Sequence, residues 1–323
     1  MRRLIWAVVG VVLLGVAAFL ILTTPRTIGA SELPQHTLDV ENGEYMFYAG
    51  GCASCHGAPA PSGKCDDPAM PDKLSLAGGR CLKTPYGTFY APNISPDPDD
   101  GIGGWSDIDF VNAVMRGVSP DGVHLYPAFP YLSYQKMTYP DVLDLKAYLD
   151  TLSPVKSNPP EDDLKLPYRF RRGIGLWKRL FMDDRQFQPD PARSTELNRG
   201  AYLVEGPGHC GECHTPRDVL GGPITSERLA GGPAPEGKGN IPNLTPDPSG
   251  LGSWSASDIA YALKTGFTPD FDTLGGAMTK VQENMAKLTD EDRRSIAEFL
   301  KSLPPITRKR RSATGQEAGQ SGS

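Results

Sequence analysis

The sequence carries little excess charge of either sign. Its 33 Lys and Arg against 38 Asp and Glu leave a formal charge of −5. Nucleic acid is therefore excluded as the main partner, because holding phosphates requires concentrated positive charge. Also lacking are a nucleotide-binding glycine loop, a Ser-His-Asp arrangement and any metal-ligand cluster beyond the two motifs described below. The side chains alone thus offer no recognisable machinery for acting on a substrate. Histidine and cysteine are scarce, at five and six residues, so the places where they gather carry information. Long apolar runs are lacking too, with one exception.

That exception is LIWAVVGVVLLGVAAFLIL, residues 4–22, which follows Arg2 and Arg3 and contains no charge. At 1.5 Å per residue it makes about 28 Å of helix, close to the hydrocarbon thickness of a bilayer. The run is longer than the apolar part of a signal peptide, and TTPRTIGASE behind it offers no convincing small-x-small cleavage site. A retained anchor is expected over a cleaved leader. Arg2 and Arg3 stay inside by the positive-inside rule, which puts everything after Pro25 outside: a single pass of the bacterial inner membrane, with the bulk of the chain in the periplasm.

A length of 323 residues suggests two compact domains, and 36 Gly with 31 Pro favour short helices tied by irregular loops. The chain repeats itself. APNISPDPDDGIGGWSDIDFVNAV (residues 91–114) matches IPNLTPDPSGLGSWSASDIAYAL (241–263), and KMTYPDVLDLKAYLDTLSPV (136–155) matches KLTDEDRRSIAEFLKSLPPI (287–306). Each unit reads as three helices. The first places Tyr45, Tyr48 and Ala49, or Ala201, Tyr202 and Val204, on one face. The second opens at a Ser N-cap in WSDIDF or WSASDI and ends at Gly. The third has Thr138 or Thr289 as N-cap with Asp141 or Asp292 at N3, and buries Leu143, Leu145 and Leu149, or Ile296, Phe299 and Leu300. The expected class is all-α: an anchor (residues 1–30), a first domain (36–155), a linker with an amphipathic segment at 170–181 (156–193), a second domain (194–305) and a disordered basic tail (306–323). For the amphipathic segment, packing within the chain is the expectation, with a partner subunit or the membrane surface as alternatives.

Each unit carries one Cys-x-x-Cys-His: Cys52, Cys55 and His56, then Cys210, Cys213 and His214. A four-ligand zinc site would have to combine pairs from different repeats, and a thioredoxin-like pair would want a βαβ context. The spacing suits c-type haem instead, because one helical turn carries two sulfurs to the two vinyl groups while the next residue brings an imidazole to the iron. Two covalently bound haem c groups are expected, with His56 and His214 as iron ligands.

With these motifs the units resemble class I cytochrome c domains. Together with APNISPD, YPAFPY and KLTDED, the pair resembles the dihaem cytochrome c subunits of membrane-bound bacterial dehydrogenases, such as those for alcohol and gluconate, over residues 37–305. The resemblance implies electron transfer from a periplasmic flavin, quinone or molybdenum dehydrogenase to ubiquinone or a terminal oxidase. It also implies a distal methionine before the last helix. In the second unit this is Met278, in TLGGAMTKV, with Met285 as a core alternative. In the first unit the related alcohol dehydrogenase subunits read PAMPY where this chain reads PAFPY, so Phe129 stands in the ligand's place. Met137 and His124 are then the candidates for haem one, and an open or water-bound iron is the third reading. The open position keeps a dihaem peroxidase as the alternative function, and a purely structural tether as a third.

The remaining Cys65 and Cys81 lie between His56 and Asn93, an interval eight residues longer than its counterpart from His214 to Asn243. In an oxidising compartment a disulfide is expected there, against a pair of free thiols. Trp105 and Trp254 occupy matching positions, for a haem propionate or for the core. Asn93 and Asn243, each after a proline, are expected to shape the loop under the haem, or to serve a turn alone.

Overall fold

The computed structural model describes residues 1–59, 62, 64–65, 74–234 and 239–308. The tail expected to be disordered lies outside the described residues from position 309 on.

Helix α1 (Arg2–Leu22) is the apolar run, with a mean hydropathy of 2.9 and none of its length buried. The first unit follows as α2 (Val40–Ala49), α3 (Cys52–His56), hairpin strands β1 (Cys81–Thr84) and β2 (Gly87–Tyr90), then α4 (Asp107–Arg116), α5 (Tyr131–Tyr134) and α6 (Tyr139–Leu149). The linker supplies β3 (Asp163–Leu164) and α7 (Ile174–Phe181). The second unit runs α8 (Thr195–Glu205), α9 (Cys210–His214), β4 (Gly232–Pro233), β5 (Asn240–Ile241), α10 (Ala256–Thr265), α11 (Ala277–Met285) and α12 (Asp290–Ser302).

The helix starts are local chemistry. Ser106 and Ser255 each accept from the N3 backbone N–H while Asp109 and Asp258 reach back, two reciprocal capping boxes. Thr138 and Thr289 accept from Asp141 N and Asp292 N. In each unit the first helix crosses the last at a glycine. A Cβ on Gly43 would stand 2.0 Å from the Asp144 carbonyl oxygen, and one on Gly200 1.9 Å from that of Ser295, so no other residue permits this approach. Two cores result, one around Met46, Phe47, Val111, Val142 and Leu149, the other around Leu203, Ile259, Ile296, Phe299 and Leu300.

Two expectations need correction. The fold is mainly helical rather than all-α: β1 and β2 pair antiparallel around Pro85–Tyr86, and β3 from the linker adds to β2. The cause is the extra length after His56, whose sequence CLKTPYGTFY alternates around a Pro-x-Gly turn. Ile28, which sequence places in the anchor, belongs to the first core, its N–H bonded to Asn112 Oδ1 at 2.7 Å. Tyr45 and Tyr48 face the second unit as well as the first. The disulfide is formed, Cys65 to Cys81, and α7 packs within the chain, as its contacts below describe.

Candidate functional site

Each Cys-x-x-Cys-His is a single helical turn entered through a left-handed residue, Gly51 (φ 60°) before α3 and His209 (φ 38°) before α9. His56 Nδ1 lies 2.8 Å from the Pro92 carbonyl oxygen, and His214 Nδ1 the same distance from that of Pro242. A carbonyl only accepts, so Nδ1 carries the proton and the Nε2 lone pair is left for a metal. Burial lowers both imidazole pKa values, against the opposing pull of the proline carbonyls, and favours the neutral form that a ligand requires.

The asparagines after those prolines hold the loops in place. Asn93 Nδ2 donates to the Val155 and Ser157 carbonyls at 2.7 and 3.2 Å while its Oδ1 accepts from Ser95 N at 2.9 Å. Asn243 Nδ2 donates to Ile306 O at 2.8 Å and its Oδ1 accepts from Thr245 N at 2.8 Å. Each asparagine therefore ties the carbonyl that orients its histidine to the chain leaving the last helix.

Burial pushes the Cys52 and Cys210 thiols up to about 12, with the second cysteine of each motif adding to the rise. Burial thus disfavours the thiolate that a reactive redox pair would use. Among the described residues no three His, Cys, Asp or Glu side chains gather to hold a metal ion. In the second unit an apolar pocket is lined by Leu203, Cys210, Leu263, Met278, Met285 and Leu300. An attachment sulfur and two methionines on the walls of one apolar cavity fit a macrocycle with an iron at its centre. Met278 is half-buried on α11, and Met285 is buried on the same helix.

In the first unit Met137 is 1% exposed within the core, at the position that Leu288 takes on the wall of the other cavity. Phe129 is half-buried, its ring 5.5 Å from that of Tyr134. His124 is engaged elsewhere: its Nε2 donates to the Thr23 carbonyl at 2.9 Å, at the end of α1. Trp105 and Trp254 pack against the two cores.

What sequence reasoning missed is the seam between the units, a pseudo-twofold in which equivalent residues exchange contacts. Tyr45 donates to Asp292 Oδ2 at 2.5 Å and accepts from Thr289 N; its counterpart Tyr202 donates to Asp141 Oδ2 and accepts from Thr138 N. The third residue of each motif joins in. Asn284 Nδ2 donates to Ser54 Oγ at 2.8 Å, and Ser133 Oγ to Glu212 Oε1 at 2.9 Å. At the centre, His209 Nε2 donates across to the Gly50 carbonyl at 3.2 Å, and Tyr134 OH donates to that same oxygen at 2.9 Å. The imidazole and phenol rings meet edge to face at 5.6 Å. His209 adjoins Cys210 and Gly50 lies two residues before Cys52, so the two motifs are one hydrogen bond apart. The repeat and the N3 aspartates were visible in sequence, but nothing there pairs Tyr45 with Asp292.

A cytochrome c family profile matches residues 197–304. A dihaem cytochrome c-type protein of Cereibacter sphaeroides is 48% identical over 306 residues, covering 95% of this chain and 100% of that protein. The chain belongs to the cytochrome c family. As in that family, haem c is bound covalently. The cytochrome c subunit of a quinone alcohol dehydrogenase from Gluconacetobacter polyoxogenes is 39% identical over 279 residues, 83% of this chain and 56% of the relative. That of a gluconate 2-dehydrogenase from Pantoea cypripedii is 38% identical over 273 residues, 82% and 59% of the two chains. This cytochrome therefore spans somewhat over half the length of those dehydrogenase subunits.

Proposed function

We propose that this cytochrome is a membrane-anchored dihaem relay, passing electrons from a periplasmic flavin, quinone or molybdenum dehydrogenase to ubiquinone or a terminal oxidase. Haem iron supplies a one-electron carrier that alternates between ferric and ferrous states. Cys52, Cys55 and His56 hold the first group, and Cys210, Cys213 and His214 the second. The observation that carries the reading is the His209 to Gly50 hydrogen bond joining the two motifs. It supports passage of an electron from one unit to the other without a gap of solvent. Unlike burial and hydrogen bonding around the two groups would give them unlike potentials and the electron a direction.

Met278 is the proposed sixth ligand of the second haem, supported by its place on the cavity wall with Cys210. Met137 is proposed for the first, supported by its burial and by the engagement of His124 with Thr23. Replacing either with leucine opens that iron to carbon monoxide; an unreactive variant refutes the assignment. The anchor reading gains support from the folded chain's grip on the end of α1, where Thr23 is fully buried.

The test is purification of the full chain from membranes with its partner, followed by reduction with candidate substrates. Reduction of both haems and reoxidation by a ubiquinone analogue are expected; reduction of neither by any copurifying dehydrogenase overturns the relay. Phe129 at the expected ligand position keeps one alternative, a dihaem peroxidase, which predicts peroxide turnover and rapid carbon monoxide binding at the first haem of the unaltered protein.

A further inference from the structure

We infer that α7 and the turn at residues 218–222 form a membrane-contact surface seated in the lipid headgroup layer beside the anchor. This rests on the anchor reading and goes beyond it, because an anchor on a loose linker would leave the rest of the chain free of the bilayer.

The end of α1 sets the depth. The last carbonyls of a helix have no partner within it and must find one outside. Here three are captured by folded chain: Arg172 Nη2 donates to Leu20 O at 2.9 Å, Arg179 Nε to Leu22 O at 2.5 Å, and His124 Nε2 to Thr23 O at 2.9 Å. Arg172 Nε also donates to Thr23 Oγ1 at 2.9 Å. The backbones touch as well, since a Cβ on Gly175 would stand 2.7 Å from Thr23 Cα. The two guanidinium groups are thus held at the level of the last apolar turn. If α1 spans the hydrocarbon, α7 lies at the headgroup level by geometry.

The surface carried to that level has the corresponding chemistry. Leu176 and Leu180, one helical turn apart on α7, are 38% and 66% exposed. Trp177 Nε1 donates to the Leu220 carbonyl at 3.0 Å, holding the turn on which Val219 is 97% exposed. Large apolar side chains standing out beside a tryptophan are costly in water and at home in the interfacial layer. Arg172 and Arg179 have no carboxylate partner among the described residues. Their charge is therefore left to lipid phosphates.

The test uses the full chain in bilayers of phosphatidylcholine and phosphatidylglycerol, with a nitroxide on a single introduced cysteine. The variants are Val12→Cys, Leu180→Cys, Val219→Cys and Phe271→Cys, the last an exposed position in the loop between α10 and α11. Relaxation by oxygen, which enters the bilayer, is compared with relaxation by a water-soluble nickel chelate. Labels at 180 and 219 are expected to show severalfold less nickel contact than the label at 271. If 12 reads deep while 180 and 219 behave like 271, this inference falls and the anchor stands. Should 12 itself read as aqueous, both fall. Shielding of 180 and 219 only after a dehydrogenase partner is added assigns the surface to that partner and overturns the proposal.

Discussion

Replacing His209 with alanine and, separately, with glycine separates what its side chain does from what its backbone stores. The residue holds a left-handed conformation, φ 38° and ψ 34°, that costs a residue with a Cβ about 1–2 kcal/mol. Its imidazole offsets this with a hydrogen bond to Gly50, about 1 kcal/mol net, and an edge-to-face contact with Tyr134 of about 0.5–1.5 kcal/mol. Alanine loses both contacts and keeps the strain, so His209→Ala is destabilised by about 2 kcal/mol. Glycine loses the same contacts and relieves the strain, but gives the unfolded chain more freedom, worth about 0.5–1 kcal/mol. His209→Gly is therefore destabilised by only about 1 kcal/mol. Guanidinium unfolding of the haem-loaded proteins, followed by haem absorbance, reads the difference. Function divides differently from stability: both variants lose the imidazole between the motifs, so electron exchange between the haems slows in both alike. Equal stability losses would refute the strain argument, and undiminished exchange would refute the bridge.

Asn93→Ala removes two donated hydrogen bonds and one accepted at a buried site, for a loss of about 2–3 kcal/mol; unfolding midpoints should fall, and the first haem's potential should shift while the second's holds. Acid should open the seam. Burial acts to raise the Asp292 pKa, but Arg199 and Tyr45 together hold it below the usual carboxylate range. Its stabilisation is therefore complete above the unfolded value of about 4 and disappears as pH falls through the lower folded value. Asp144, buried and bonded to Asp39 N, Asn42 and His36, shifts in the same direction. Stability measured from pH 6 downward should show this acid limb, and Asp292→Asn should flatten it. Replacing Cys65 and Cys81 with serine should cost about 3 kcal/mol if constraint of the unfolded loop is the main effect; an unchanged midpoint would deny the bridge a structural role.

The sequence by itself determined whatever depends on neighbours a few positions apart. Ser106, Thr138, Ser255 and Thr289 act on backbone three residues away, the Cys-x-x-Cys-His spacing is one helical turn, and the apolar run announces α1 by length alone. The tandem repeat was equally plain, and with it the presence of two helical cores. Only tertiary structure decided which surfaces those cores turn toward each other. Tyr45 reaches Asp292 across 247 positions, His209 reaches Gly50 across 159, and His124 finds Thr23 across 101. Such pairs leave no periodic trace, because each is one contact made where two independently folded faces meet. The hairpin and its linker strand escaped for a related reason: two or four residues of strand acquire their conformation from pairing, and β3 meets its partner only across the stretch of chain that carries α4, α5 and α6.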